Sequence, residues 1–412
     1  MSTQTQSRVE AGSSWRGALL VSGTCIGGGM LAMPIQTGAA GFFISLIVVL
    51  ISWAFMTFTG LLLVEATFWL KNNTHFSSMT EALLGKTGKV ISLVIYLFIN
   101  CASLVAYTSG GAHLIDHWAQ MLTGSSLGYA NSCLFFTLLF GTIVYFGAYF
   151  ITKMNSLFMI FMAIVYLLLV GMGIFSIQMK NLLFRPEWVA GLHSFPLIIA
   201  AFSYQMIVPS LCSITHYNLE ESKKSILIGT AIPCLIYLIW LSVVHGIVPF
   251  EGSGGLHEAY VKGSLITESL QRYSKTFFLV ILTDLFAFLA LVTSYLGLSL
   301  ALFDFVKDLF KNGKYKANWV TFLSLVPSLL LAIFFPRALL DFLDMTGGFG
   351  DALLSGLIPI AMVWVGRFHK KQPSEYRVFG GKWSLVTAGL FAIFIFMIQW
   401  IKLQKNLFNS PL

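Results

Sequence analysis

The residues best suited to chemistry in this sequence carry almost no charge. The run Gly23-Thr24-Cys25-Ile26-Gly27-Gly28-Gly29-Met30-Leu31-Ala32-Met33-Pro34 lies inside an apolar stretch. Three adjacent glycines cost a helix interior about 1 kcal/mol each relative to alanine, so the spacing predicts an unwound backbone near Cys25 to Gly28. An interrupted helix offers unpaired carbonyls where its first half ends and unpaired amides, with the positive end of the dipole, where its second half begins. Within a bilayer such backbone is tolerated only where protein or a water-filled cavity satisfies it, so the break implies a site. Close helix packing through Gly23 and Gly27 is the alternative use of these residues. A second cluster, Phe202-Ser203-Tyr204-Gln205 followed by Pro209, interrupts another apolar stretch about 180 residues later. Broken spans at matching positions in two halves point to an inverted-repeat architecture with its site between the halves.

Other candidates are single side chains. Asn100, Ser103 and Tyr107 recur at i, i+3 and i+7 and share one helical face, which either lines a cavity or bonds to a neighbouring helix. Asp284 lies inside an apolar span, where a carboxylate must be paired, hydrated or protonated; a proton-carrying role and a structural hydrogen bond both fit. Glu65 reads as a structural or gating ion pair, and Asp304 and Asp308, beside Lys307 and Lys311, as solvated helix pairs. Asp351 follows Gly347 and Gly348 and reads as a charge just inside the start of its helix. His113, Asp116 and His117 imitate a helical metal pair but sit next to Trp118 at an interface, so no metal and no cofactor is expected. His193 and His245 flank spans, and the five cysteines are scattered singly among apolar residues.

The elements that must position these residues follow from composition. Of 412 residues, 57% are hydrophobic and only 10% charged, against about a quarter charged in soluble proteins. Apolar runs of about 20 residues, enough for a ~30 Å hydrocarbon core, recur along the chain. Spans are predicted at 15–37, 41–70, 89–118, 130–150, 154–178, 191–215, 225–248, 276–305, 318–335, 347–365 and 383–401, eleven in all, with a loop of about 249–275 able to hold a short helix. The fold class is an all-α polytopic membrane protein. Placing the amino terminus in the cytoplasm puts 17 of the 25 basic residues inside, and an odd number of spans puts the carboxyl terminus outside. The net charge of +8 thus reports orientation, and no nucleic-acid partner is expected. The expected divisions are a tail at 1–14, a first five-helix repeat at 15–180, a second at 190–365, and a loop with an eleventh helix at 366–412.

Four stretches carry a family resemblance: GTCIGGGMLAMP, Glu65 in LLLVEA, DLFAFLALVTSYLGLSLALFDFVKDLF, and YRVFGG before the last span. They resemble the bacterial hydroxy and aromatic amino acid permeases, within the amino acid-polyamine-organocation superfamily, over essentially the whole chain. The resemblance implies a leucine-transporter-type 5+5 inverted repeat plus one helix in the bacterial inner membrane. It also implies import of an aromatic amino acid, tyrosine foremost with tryptophan or phenylalanine as alternatives, usually by proton symport. On that reading Gly23, Thr24, Gly27, Gly28 and Gly29 form a backbone cradle for the zwitterion, with glycine chosen because a Cβ would hold the ligand off. Ser203, Tyr204 and Gln205 complete the site, Phe202 or Tyr204 walls an aromatic ring, and the face of Asn100, Ser103 and Tyr107 lines the cavity. The run at 203–205 departs from the glycine and histidine found there in tyrosine-importing members, which leaves the side-chain preference open.

Coupling has two readings. Sodium-coupled members of the wider superfamily set adjacent hydroxyls of span 8 against the span-1 break, where Thr293 and Ser294 stand here, while some proton-coupled members use a span-5 lysine, and none occurs between Asn155 and Gln178. Proton coupling would use Asp284, and sodium is the alternative ion. Asp284 and Thr293 lie about 180° apart around the helix and cannot serve one site. No GxSxG, HExxH or phosphate-binding loop is present, so an enzyme is not expected. A membrane sensor that binds amino acid without moving it is the alternative from another class.

Overall fold

The glycine triplet does break the first apolar stretch. In the computed structural model, which describes residues 13–70, 75–146, 148–183, 187–274, 276–309, 317–373 and 376–409, helix α1 (Ser13–Cys25) stops just before the triplet and α2 (Gly29–Thr37) resumes at its last glycine. The tail at 1–12 and the basic residues Lys71, Arg185, Lys275, Lys311, Lys314 and Lys316 lie outside the described residues. A turn at Gly38–Ala40 leads into α3 (Gly41–Trp69); Gly41, at φ 73°, takes a conformation side chains resist and separates two spans in one 41-residue apolar stretch. Then follow α4 (Phe76–Thr123), α5 (Tyr129–Tyr145) and α6 (Ala148–Gly173).

The sixth segment is also broken, into α7 (Trp188–Ala201) and α8 (Val208–Ile214), with non-helical backbone at Tyr204 and a short turn at Gln205–Ile207. Beyond it lie α9 (Leu219–Ile247), two short loop helices at Leu256–Lys262 and Ile266–Tyr273, α10 (Phe277–Leu309) and α11 (Ala317–Phe334). The tenth segment joins α12 (Ala338–Met345), wide π-type turns over Thr346–Leu357, and α13 (Ile358–Trp364), and α14 (Gly381–Asn409) ends the chain. The described residues are all helix, turn and loop, and eight helical stretches are long and apolar enough to cross a membrane. Two further apolar helices, Tyr129–Tyr145 and Trp319–Phe334, are shorter.

Two span starts differ most from expectation, and the others shift by about six residues or fewer. The third segment begins at Phe76 rather than 89, because an additional helical stretch precedes a kink at Gly85, where non-helical backbone (φ 79°, ψ −176°) separates two helical stretches. The tenth begins at Ala338 rather than 347, so Asp351 lies in the middle of its segment and not at a helix start. Gly347 and Gly348 mark close packing there: a Cβ on Gly347 would lie 1.7 Å from the Pro196 carbonyl oxygen of α7.

The two broken segments pack antiparallel, α1 against α8 and α2 against α7, which sets the two breaks level with each other. Helix α9 backs α1, α10 packs on α4 and α6, and the loop helices cover the far end of α2. There Gly38 lies under Leu256 and Phe250. All of α2 is buried, whereas Thr24 in α1 and Ser210 and Ser213 in α8 are exposed.

Candidate functional site

At the first break the last turn of α1 leaves carbonyls with no helical partner. The Ile26 amide takes the Ser22 carbonyl at 2.9 Å and the Tyr237 hydroxyl takes that of Cys25 at 2.7 Å. The carbonyls of Gly23 and Thr24 have no protein partner among the described residues. On the other side of the break the Gly28 amide donates to Ser294 Oγ at 3.1 Å, while the Gly27 amide has no such partner among the described residues. Half-satisfied backbone of both polarities, next to exposed Thr24, can hold a small dipolar ion.

The glycines are needed for a reason other than ligand approach. A Cβ on Gly27 would meet Ser294 Oγ at 2.2 Å, and one on Gly28 would meet the Tyr107 ring at 2.5 Å and Leu291 at 3.1 Å. Gly29 faces Ala201 of α7 at 3.3 Å, and Gly23 faces Met159 of α6 at 3.0 Å. Helices α4, α6, α7 and α10 therefore press directly on the break, and it is their side chains that a Cβ would displace.

The second break is arranged differently from expectation. Phe202 is fully buried and edge-on to Tyr237, with centroids 5.0 Å apart, so it belongs to the core. Tyr204 points into α3, donating to the Met56 carbonyl at 3.0 Å and lying over Gly60. Gln205 goes the same way, its Nε2 on the Met56 carbonyl at 3.2 Å and Thr59 Oγ1 at 3.1 Å. Neither Phe202 nor Tyr204 walls the first break, because unwound backbone needs partners and these side chains anchor it to α3 and α9. Ser203 reaches a carboxylate instead, donating to Asp351 Oδ1 at 2.5 Å.

Of the third-segment face, Tyr107 touches the break, Ser103 is buried, and Asn100 donates back to the Tyr96 carbonyl at 2.8 Å. Thr293 bonds back to the Leu289 carbonyl at 2.8 Å, so of the hydroxyl pair only Ser294 meets the break. Asp284 is elsewhere: Gln271 of the loop helix Ile266–Tyr273 donates to it at 2.8 Å, Trp118 at 3.3 Å, and His117 Nε2 stands 3.9 Å away. Glu65 forms a fully buried fork with Arg367, at 2.7 and 2.5 Å, and also accepts the Val378 amide at 2.8 Å.

Sequence reading missed Tyr237. Its hydroxyl lies 2.7 Å from the Cys25 carbonyl and 2.8 Å from that of Ala201, tying the ends of α1 and α7 together at both breaks. Trp240, one turn on, donates to the Met30 carbonyl at 2.8 Å. A tyrosine and a tryptophan in an apolar span look like core, and only their spacing of three residues hints at a shared face. A cavity of about 430 Å³ opens near the end of α2, lined by Gln36, Arg337, Asp341, Asp344 and Lys402 among others. It holds charges of both signs but not the residues of the breaks.

Comparison with known proteins agrees with this architecture. The tryptophan/tyrosine permease family model matches residues 10–399. The chain is 29% identical to "Tyrosine-specific transport system 1" of Haemophilus influenzae, covering 93% of this chain and 95% of that protein. It is 28% identical to the "Low affinity tryptophan permease" of Escherichia coli, covering 96% of each. It is also 29% identical to "Glutamine transporter 2" of Aliivibrio fischeri, covering 93% of this chain and 98% of the relative. With a match over nearly its whole length, the chain belongs to the tryptophan/tyrosine permease family.

Proposed function

We propose that this protein is a secondary active transporter that imports an aromatic amino acid, tyrosine foremost, by proton symport with alternating access. The observation that carries the reading is the pair of level helix breaks, with the Gly23 and Thr24 carbonyls and the Gly27 amide left open for an ammonium and a carboxylate. The zwitterion's charges are met by backbone, and its side chain by the half-buried Ile26, Met159, Met206 and Ile207 next to the breaks. Methionine sulfur against an aromatic ring is favourable, and an apolar wall disfavours a carboxamide, which argues for an aromatic substrate over glutamine. Fully buried α2, with exposed Thr24 in α1 and exposed Ser210 and Ser213 in α8, fits a state closed on the α2 side and open on the α1 side. With the excess of basic residues on the α1 side, that side is the cytoplasm of a bacterial inner membrane and the carboxyl terminus is periplasmic. The antiparallel packing of the two broken segments is what a 5+5 inverted repeat requires.

The test is uptake of labelled tyrosine, tryptophan and glutamine into proteoliposomes under a proton gradient or a sodium gradient imposed separately. Concentrative tyrosine or tryptophan uptake with protons alone is the expected result. A strict sodium requirement would shift coupling to Ser294 and the first-segment carbonyls. Binding without counterflow would make the protein a sensor.

A further inference from the structure

A carboxyl group that the sequence offers only as a helix-start charge sits against the sixth-segment break. Asp351 lies mid-segment on the π-type turns and is 99% buried, its residue only 1% exposed. Its Oδ1 accepts Ser203 Oγ at 2.5 Å, from the sixth-segment break, and Ser355 Oγ at 2.7 Å, one turn along its own segment. Its Oδ2 is buried and has no hydrogen-bond partner among the described residues. Two O–H donors on one oxygen leave the other free to carry a proton of its own, and a carboxyl buried without a cation costs too much to stay ionised unless something neutralises it.

Among the described residues the surroundings supply no countercharge. The titratable groups that face Asp351 are the Cys25 thiol, at the first break, and the Tyr107 phenol of α4, which packs on Gly28. The charges on other helices packed against this stretch are committed elsewhere: Glu65 of α3 to Arg367, and Asp344 of α12 to Lys402 of α14. His193 of α7 lies at the far end of its helix, where its carbonyl takes Lys402. The turns that carry Asp351 are pressed on α7 through Gly347, so a change at the carboxyl is felt by a broken segment. Long π-type stretches are rare and concentrate at functional sites.

We propose that Asp351 is the proton-carrying residue of this transporter: Oδ2 takes up the coupling proton, and Ser203 links its protonation state to the substrate site at the breaks. The inference rests on the transport reading above and replaces Asp284 as the coupling group. A proton arriving on Oδ2 neutralises the carboxylate, and its departure restores an anion that needs Ser203 and Ser355 as donors. The loaded and empty carboxyl therefore hold the sixth-segment break differently, which is the differential contact that coupling demands.

The test uses the full chain in proteoliposomes with labelled tyrosine. Asp351→Asn keeps the shape and the acceptor for both serines but carries no exchangeable acid. Counterflow at equal pH, which needs no coupling, is expected to survive. Accumulation driven by an acid exterior, about tenfold per pH unit for one proton per substrate, is expected to vanish. Ser203→Ala serves if Asp351→Asn fails to insert; it is expected to move the midpoint of the pH dependence of tyrosine binding. Full proton-driven accumulation by Asp351→Asn, loss of its counterflow together with accumulation, or an unmoved midpoint in Ser203→Ala would each overturn the assignment. Wild-type protein that neither exchanges nor accumulates aromatic amino acids would instead overturn the transport reading itself.

Discussion

The Gly28 amide donates to Ser294 Oγ at 3.1 Å, joining the first break to α10 across 266 positions of sequence. The same hydroxyl would lie 2.2 Å from a Cβ at Gly27, while Ser294 Cβ would be 3.6 Å from it, an ordinary contact. Only the oxygen is in the way. Gly27→Ala is therefore expected to cut tyrosine uptake by at least about tenfold, equivalent to about 1.4 kcal/mol. Adding Ser294→Ala should restore most of it, short of the ~1 kcal/mol carried by the lost Gly28 hydrogen bond. Initial uptake rates of the two single variants and the double variant decide this. A double variant no better than Gly27→Ala would mean that the glycine serves the ligand rather than the helix contact.

Tyr204 was a natural candidate for a ring-stacking wall, yet its hydroxyl is spent on the Met56 carbonyl and its ring covers Gly60. Tyr204→Phe should keep the order of preference among tyrosine, tryptophan and phenylalanine, while lowering thermal stability by about 1 kcal/mol. Competition of each amino acid against labelled tyrosine, beside a melting curve in detergent, measures both. A changed preference order would return Tyr204 to the substrate site.

How far the site could be read in advance depended on whether a feature was local. The breaks were legible because glycine triplets and a mid-span proline act on their own backbone. The directions of Tyr204, Gln205 and Phe202 were not, since they are set by α3 and α9, which lie far away in sequence. Asp351 was misplaced because Gly347 and Gly348 resemble a helix start, whereas here they admit α7 and let the segment continue in wider turns. The apolar helical stretches follow from hydropathy alone, but the bridge that Tyr237 makes between two carbonyls has no one-dimensional signature.

Glu65 and Arg367 form a two-pronged pair with both side chains nearly free of solvent contact, at 0% and 4% exposure. Removing one partner leaves an uncompensated buried charge, at a cost of about 3–5 kcal/mol, whereas removing both avoids it. Arg367→Met should lower the melting temperature sharply, and Glu65→Gln with Arg367→Met should recover much of the loss. Equal melting temperatures for the single and double variants would show that the arginine acts through its contact to the Val378 carbonyl instead.

Asp284 offers the sharpest contrast with Asp351, because both are carboxyls within the membrane-spanning bundle and only one reaches a break. Asp284 accepts Gln271 at 2.8 Å and Trp118 at 3.3 Å and faces His117, so it ties the loop helix Ile266–Tyr273 to α4 and α10. Asparagine keeps an acceptor for only one of those two donors, because Gln271 and Trp118 bond to different oxygens, so the loss is confined to this tie. Asp284→Asn is therefore expected to leave proton-driven tyrosine accumulation within about threefold of wild type, a change of about 0.7 kcal/mol. Its effect should fall on the loop, as faster proteolysis between 249 and 275 in vesicles that expose this loop. Loss of accumulation with counterflow intact would identify Asp284 as the coupling carboxyl after all, and would leave Asp351 as a structural link between the sixth and tenth segments.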